Sequence, residues 1–195
     1  MKALALVTFL IPSICHAGAQ VYEPLADSVR QRLSRMVADR GVPTMYFREP
    51  ADGQRWLAEM DSRLARRIPD RQQRLELLRA IHYEALRARL DPQLVLGLIE
   101  VESGFRKYAV SRSGARGYMQ VMPFWIRLIG QPSHNLFHLR TNLAYGCAIL
   151  RHYLDMEKGD YFRALGRYNG TLGKADYPQR VLAAWKGRWN YDGPT

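Results

Sequence analysis

The chain has 195 residues, 47% of them hydrophobic and 24% charged, a composition that supports a buried core and excludes a disordered or low-complexity protein. Its 29 basic and 18 acidic side chains leave a formal charge of +11. Such an excess points to a polyanionic partner, whether nucleic acid, acidic lipid or an acidic glycan polymer, without choosing among them.

At the start of the chain Lys2 precedes a short apolar run from Ala3 to Ile14, and small residues follow at Ala17, Gly18 and Ala19. This order predicts an export signal over residues 1–17, cut after Ala17 or Ala19, which places the processed protein in the periplasm. The apolar run is too short for a stable membrane span, so no integral span is expected. Cys15 is a poor lipid-anchor site, because Ile14 stands where a lipoprotein signal carries a small residue. Loss of the signal leaves Cys147 as the only thiol and excludes an intramolecular disulfide. Cys147 lies on an apolar helical stripe and is expected to be buried and inert.

Residues 20–90 read as an N-terminal helical extension. Leu25, Val29, Leu33, Met36 and Val37 recur at helical spacing with Arg30, Arg32 and Arg35 between them, and Gly41-Val42-Pro43 ends that helix. Residues 44–53 read as a loop closed by Glu49-Pro50-Ala51-Asp52-Gly53. A second helix is predicted from Gln54 to Arg67 and a third from about Arg71 to Arg89.

Residues 91–190 read as a second unit. Asp91-Pro92 is a good helix start, with a side-chain acceptor at the cap and proline in the first turn. Leu94, Val95, Leu96, Leu98, Ile99 and Val101 make the following helix apolar on nearly all sides, so it should be central, and Gly104 is placed to cap its end. A loop-rich segment runs from Arg106 to about Met122. Leu143, Cys147, Leu150 and Leu154 mark another helix, and two short helices are predicted around 160–168 and 176–186. No run alternates as a strand would, so the fold class is all-α.

Glu102 carries the candidate chemistry. It shares a helix face with Val95, Leu98 and Ile99 and sits in the last turn, at the negative end of the helix dipole. Desolvation and the dipole both raise its pKa, and an acid still protonated near neutrality is what protonation of a glycosidic oxygen requires. Glu100 lies about 200° away around the helix and cannot serve the same pocket.

Glu102-Ser103-Gly104-Phe105 is followed by Ser111-Arg112-Ser113-Gly114-Ala115-Arg116-Gly117-Tyr118-Met119-Gln120-Val121-Met122-Pro123, then by Asn142-Leu143-Ala144-Tyr145-Gly146 and by Tyr168-Asn169-Gly170. In this order and spacing the chain resembles the soluble lytic transglycosylase family, relatives of goose-type lysozyme, over about Asp91 to Trp185. The resemblance implies a lysozyme-like helical catalytic domain. The implied reaction cuts the β-1,4 bond from N-acetylmuramic acid to N-acetylglucosamine in peptidoglycan glycan strands and leaves 1,6-anhydromuramic acid. It also implies that Glu102 acts as acid and then base, and that Ser111, Gln120, Met122, Tyr168 and Asn169 line the sugar cleft. Ser103 is expected to orient the carboxylate. The residue types agree: Gln and Asn offer paired donors and acceptors for N-acetyl and hydroxyl groups, and Tyr168 can donate to a carboxylate while its ring packs on a sugar face. The chain departs from the family pattern at Tyr118, at Arg167, at His138-Leu139 and at Gly170-Thr171-Leu172-Gly173, positions that bear on substrate preference and turns.

Glycosidases that use water usually need two carboxylates. From Ser103 through Leu154 there is no Asp or Glu, whereas Arg106, Lys107, Arg112, Arg116, Arg127, Arg140 and Arg151 fall there. The missing second acid fits attack by the sugar's own 6-hydroxyl, with Asp155, Glu157, Asp160 and Asp176 left open as partners. A muramidase-type hydrolase and a non-catalytic peptidoglycan-binding protein are the alternatives. The export signal and the lack of a zinc-finger, RRM or basic-zipper signature argue against nucleic acid. His82, His134, His138 and His152 form no recognisable ligand set, so neither a metal nor another cofactor is expected.

Overall fold

In the computed structural model, which describes residues 20–39 and 41–193, the chain builds around one buried helix, Pro92–Ser103, with ten of its twelve residues out of solvent. Three helices precede it: α1 (Asp27–Ala38), α2 (Pro50–Leu64) and α3 (Arg71–Arg87). The buried helix is α4, and α5 (Phe124–Ile129), α6 (Leu139–Met156), α7 (Tyr161–Asn169) and α8 (Asp176–Ala183) follow. A π-helical turn at Ala184–Arg188 continues α8. Among the described residues the fold is all-α, as expected, with only isolated bridges from Val110 to Arg116 and from Arg116 to Val121 in the loop after α4. No helix among them is long and apolar enough to cross a membrane. The signal segment and its cleavage sites, with Cys15, lie outside the described residues.

Both ends of α4 are set by local chemistry. Asp91 Oδ1 accepts from the Gln93 amide at 2.7 Å, and Gly104 closes the helix in the left-handed region at φ 58°. Asp91 also accepts from the Trp185 indole at 3.0 Å, fastening the start of α4 to the end of the chain. The backbones meet closely here: a Cβ on Gly97 would stand 2.9 Å from the Trp185 nitrogen, so glycine is required. Glu100, on the far side of α4 from Glu102, is taken up by Arg67 at 2.8 Å, Arg188 at 2.6 Å and the Trp189 indole at 2.6 Å.

The helices of residues 20–90 pack into the same apolar cluster, which runs from Leu33 to Trp189. α1 lies against α5 and α6, and α3 against α4 and α6. Buried Glu84 of α3 holds Arg140 of α6 at 2.9 Å, and Arg140 reaches the Gly41 carbonyl at 2.7 Å. Buried Arg74 shapes the α2–α3 connection by donating to Asp61 and to the carbonyls of Ile68 and Pro69. Cys147 is wholly buried in α6, where burial pushes its thiol well above the ordinary range.

Two elements differ from the sequence expectation. α2 begins at Pro50, not Gln54: proline is tolerated in the first turn of a helix, and the helix so started carries Trp56, Met60 and Leu64 into the core. α5, six residues long, has too few turns to show a periodicity.

Candidate active site

Glu102 ends α4 with its side chain turned into the protein, 4% exposed. Its Oε1 accepts from the Tyr177 hydroxyl of α8 at 2.6 Å. Oε2 is buried with no closely bonded partner among the described residues. Burial raises the Glu102 pKa from 4.5 to about 7, against the opposing pull of the Tyr177 bond, the Asn169 side chain and the Arg180 charge. Near neutrality the group is therefore divided between acid and carboxylate. Tyr177 is buried beside it, and that burial and the Glu102 charge push its phenol well above 10, so it remains a donor. Because Tyr177 donates to Oε1, the carboxylic proton belongs on Oε2.

The loop between α4 and α5 follows the carboxylate in the chain and is fastened by buried side chains, Asn142 foremost. Asn142 of α6 accepts from the Met119 amide at 2.8 Å and donates to the carbonyls of Arg116 and Leu136, both at 2.8 Å. Gly117 lets this happen: it has φ 76°, and a Cβ there would be 2.5 Å from Asn142 Nδ2. Gln120 takes a left-handed conformation at φ 48°, rare for a residue with a side chain. Its Nε2 donates to the carbonyls of Ala109 at 3.1 Å and Gly117 at 3.0 Å.

The residues marked in the sequence fall into distinct places. Asn169, at the end of α7, is buried and within reach of Glu102. Met122 is partly buried, and its amide donates to Gln20. Ser111 is partly buried, its Oγ accepting from the Ala115 amide at 3.0 Å across the turn. Ser103 does not touch the carboxylate: its hydroxyl lies 2.7 Å from the Tyr118 carbonyl and 3.1 Å from that of Ile99, so it ties the loop to α4. Tyr168 is wholly buried and donates to the Met119 carbonyl at 2.7 Å, so its ring is closed to a sugar face. The carboxylate donor is Tyr177 instead, 75 positions from Glu102 in the chain and unmarked by any local pattern.

Three of the four acids left open from the sequence have structural partners elsewhere, and the fourth, Asp176, is exposed next to Tyr177. Asp155 pairs with Arg32 and Arg151, each at 2.7 Å. Glu157 is held by Arg163 and Arg167. Asp160 caps α7 by accepting from the Arg163 amide, and Asp176 is exposed at the start of α8. The charge that acts on Glu102 is that of Arg180. The site is one buried acid with a phenol donor and an amide beside it.

A model of the transglycosylase SLT domain matches residues 79–184. Over 100 residues the chain is 36% identical to a transglycosylase of Enterobacteria phage PRD1, covering 48% of this chain and 37% of that protein. Over 39 residues it is 54% identical to membrane-bound lytic murein transglycosylase C of Actinobacillus pleuropneumoniae serotype 5b (strain L20), covering 20% of this chain and 11% of that protein. Over 70 residues it is 40% identical to membrane-bound lytic murein transglycosylase C of Histophilus somni (strain 2336), covering 31% of this chain and 19% of that protein. The match spans less than two fifths of the length of each of these relatives.

Proposed function

The chain belongs to the transglycosylase SLT domain family, and from that membership we propose that it is a peptidoglycan lytic transglycosylase, a lyase of the bacterial envelope acting on glycan strands in the periplasm. The observation that carries this reading is Glu102, a buried acid without an ion-pair partner among the described residues, whose pKa of about 7 suits both halves of the reaction.

The residues support the following sequence. Glu102, protonated on Oε2, gives its proton to the glycosidic oxygen between N-acetylmuramic acid and N-acetylglucosamine. The bond from the muramyl C1 to that oxygen breaks, and positive charge develops on the muramyl ring. The Glu102 carboxylate then takes the proton of the muramyl 6-hydroxyl as O6 bonds to C1. The products are an N-acetylglucosamine 4-hydroxyl and a 1,6-anhydromuramyl end. Glu102 finishes protonated, and no water is consumed. Tyr177 is a positioning residue, fixing which oxygen of Glu102 carries the proton.

Asn169 is assigned to the wall of the cleft beside the carboxylate, where its amide suits an N-acetyl or hydroxyl group. Met122 and Ser111 are assigned to the opposite wall. Gln120, Ser103 and Tyr168 serve that wall from behind by holding its backbone in place. The excess of basic residues suits a polymer that carries carboxylates on its muramyl groups and peptide stems.

The test replaces the acid. Glu102→Gln should lower turnover of purified wall sacculi by roughly 1,000-fold or more, while sacculus binding and the circular dichroism spectrum stay as in the unaltered chain. Near-normal turnover by this variant would remove Glu102 from the mechanism, and no turnover by the unaltered chain would leave a peptidoglycan-binding protein.

A further inference from the structure

Gln20 is 5% exposed although the next two residues, Val21 and Tyr22, are 56% and 58% exposed. Its side chain is turned inward against Met122 and Trp125, beside Tyr168. Oε1 accepts from the Met122 amide at 3.2 Å and from the Trp125 indole at 3.0 Å. The carboxamide borders the Tyr168 hydroxyl, and its buried Nε2 makes no well-formed hydrogen bond. The next residues hold to the same rim. Tyr22 meets the Phe124 ring edge-on at 5.8 Å, and Glu23 approaches Arg167 at 3.6 Å.

A carboxamide carbonyl and an acetamido carbonyl are the same kind of acceptor. Two convergent donors that hold Gln20 Oε1 are therefore fitted to an acetamido carbonyl, and both cannot be held at once. The hold on the segment is loose. It rests on two neutral hydrogen bonds, a weaker approach of Nε2 to the Tyr168 hydroxyl and a half-exposed aromatic contact, with no buried ion pair among them. Arg167 is held more closely by Glu157 than by Glu23.

We propose that residues 20–23 are a built-in, displaceable occupant of the acetamido site formed by the Met122 amide and the Trp125 indole, so that the chain's own N-terminal segment competes with the glycan for its cleft. The ligand class is an N-acetylated sugar, and the inference rests on the peptidoglycan reading above. Trp125 becomes a specificity-determining donor whose normal partner, in the absence of glycan, is Gln20.

The experiment uses the full chain and N-acetylchitotetraose, a soluble probe with four acetamido groups and no muramic acid to react. Gln20→Ala should bind the probe about three- to tenfold more tightly than the unaltered chain, the return from removing an internal hydrogen-bonded competitor. On sacculi the same variant should lower KM by a similar factor with kcat unchanged. Tyr22→Ala, which removes the Phe124 contact and keeps Gln20, should also tighten binding and decides the matter if Gln20→Ala misfolds. Equal or weaker probe binding by the variants, or no binding by any chain, overturns the proposal. Turnover of sacculi by the unaltered chain is a separate readout: its absence defeats the enzymatic reading, whereas probe affinity decides the competition.

Discussion

Burial raises the pKa of both Glu102 and Tyr177, and the hydrogen bond between them pulls Glu102 back down while adding to the rise at Tyr177. The Tyr177 bond stabilises the charged form of Glu102, so its removal should raise the pKa of the acid above about 7. For Tyr177→Phe we expect the alkaline fall in kcat/KM to move to higher pH while kcat drops roughly tenfold, as the proton loses its fixed oxygen. A pH–rate profile checks this, and a merely structural role would leave the midpoint in place. Stability should report the same acid. The folded-state pKa is raised from 4.5 to about 7, so the folded protein keeps a proton that the unfolded chain releases, and stability falls as pH rises between those values. Glu102→Gln removes that penalty. Urea unfolding should find the variant more stable by up to about 3 kcal/mol at pH 8 and equal to the unaltered chain near pH 4. At this scale the sequence was informative where a residue's neighbours are local. Glu102 could be placed because Val95, Leu98 and Ile99 lie within two turns of it on one helix. Tyr177 lies 75 positions from Glu102, and Gln20 lies 105 from Trp125, so no local pattern records either contact.

Among the elements, the loop between α4 and α5 depends most on a single side chain. Asn142 closes two hydrogen bonds to its backbone, at Met119 and Arg116, and a third to Leu136 in the connection before α6, all buried or partly buried. Asn142→Ala should leave the Met119 amide and the Leu136 carbonyl without partners, while the Arg116 carbonyl keeps the Val121 amide, and cost about 2 kcal/mol, measured as a fall in the urea midpoint. Turnover should fall with it, because Met122 and Gln120 stand on the loop so released. The caps of α4 were legible, since Asp91, Pro92 and Gly104 act within a few residues of themselves. The start of α2 was not: Pro50 opens a helix as readily as it closes a loop, and the choice is settled by how Trp56, Met60 and Leu64 reach the core. Ser103 and Tyr168 show a related gap, because a motif names residues without saying whether they face the ligand or hold what does. Both hold the loop.

At the scale of the whole molecule, one apolar cluster from Leu33 to Trp189 joins the helices before α4 to those after it, and Glu84–Arg140 ties them on one side. Three of the acids that could have acted with Glu102 serve this framework: Asp155 braces α1 against α6, Glu157 holds α7 and Asp160 caps it, while Asp176 is exposed at the start of α8. The proposed mechanism accordingly has Glu102 act alone, with a proton to give and to take back. The most direct test of that claim is the mass of the muropeptides released from sacculi. Attack by the 6-hydroxyl predicts that the main products end in 1,6-anhydromuramic acid, each lighter by one water than the hydrolysed equivalent. Products ending mainly in reducing sugars would contradict it and require a second, water-activating group.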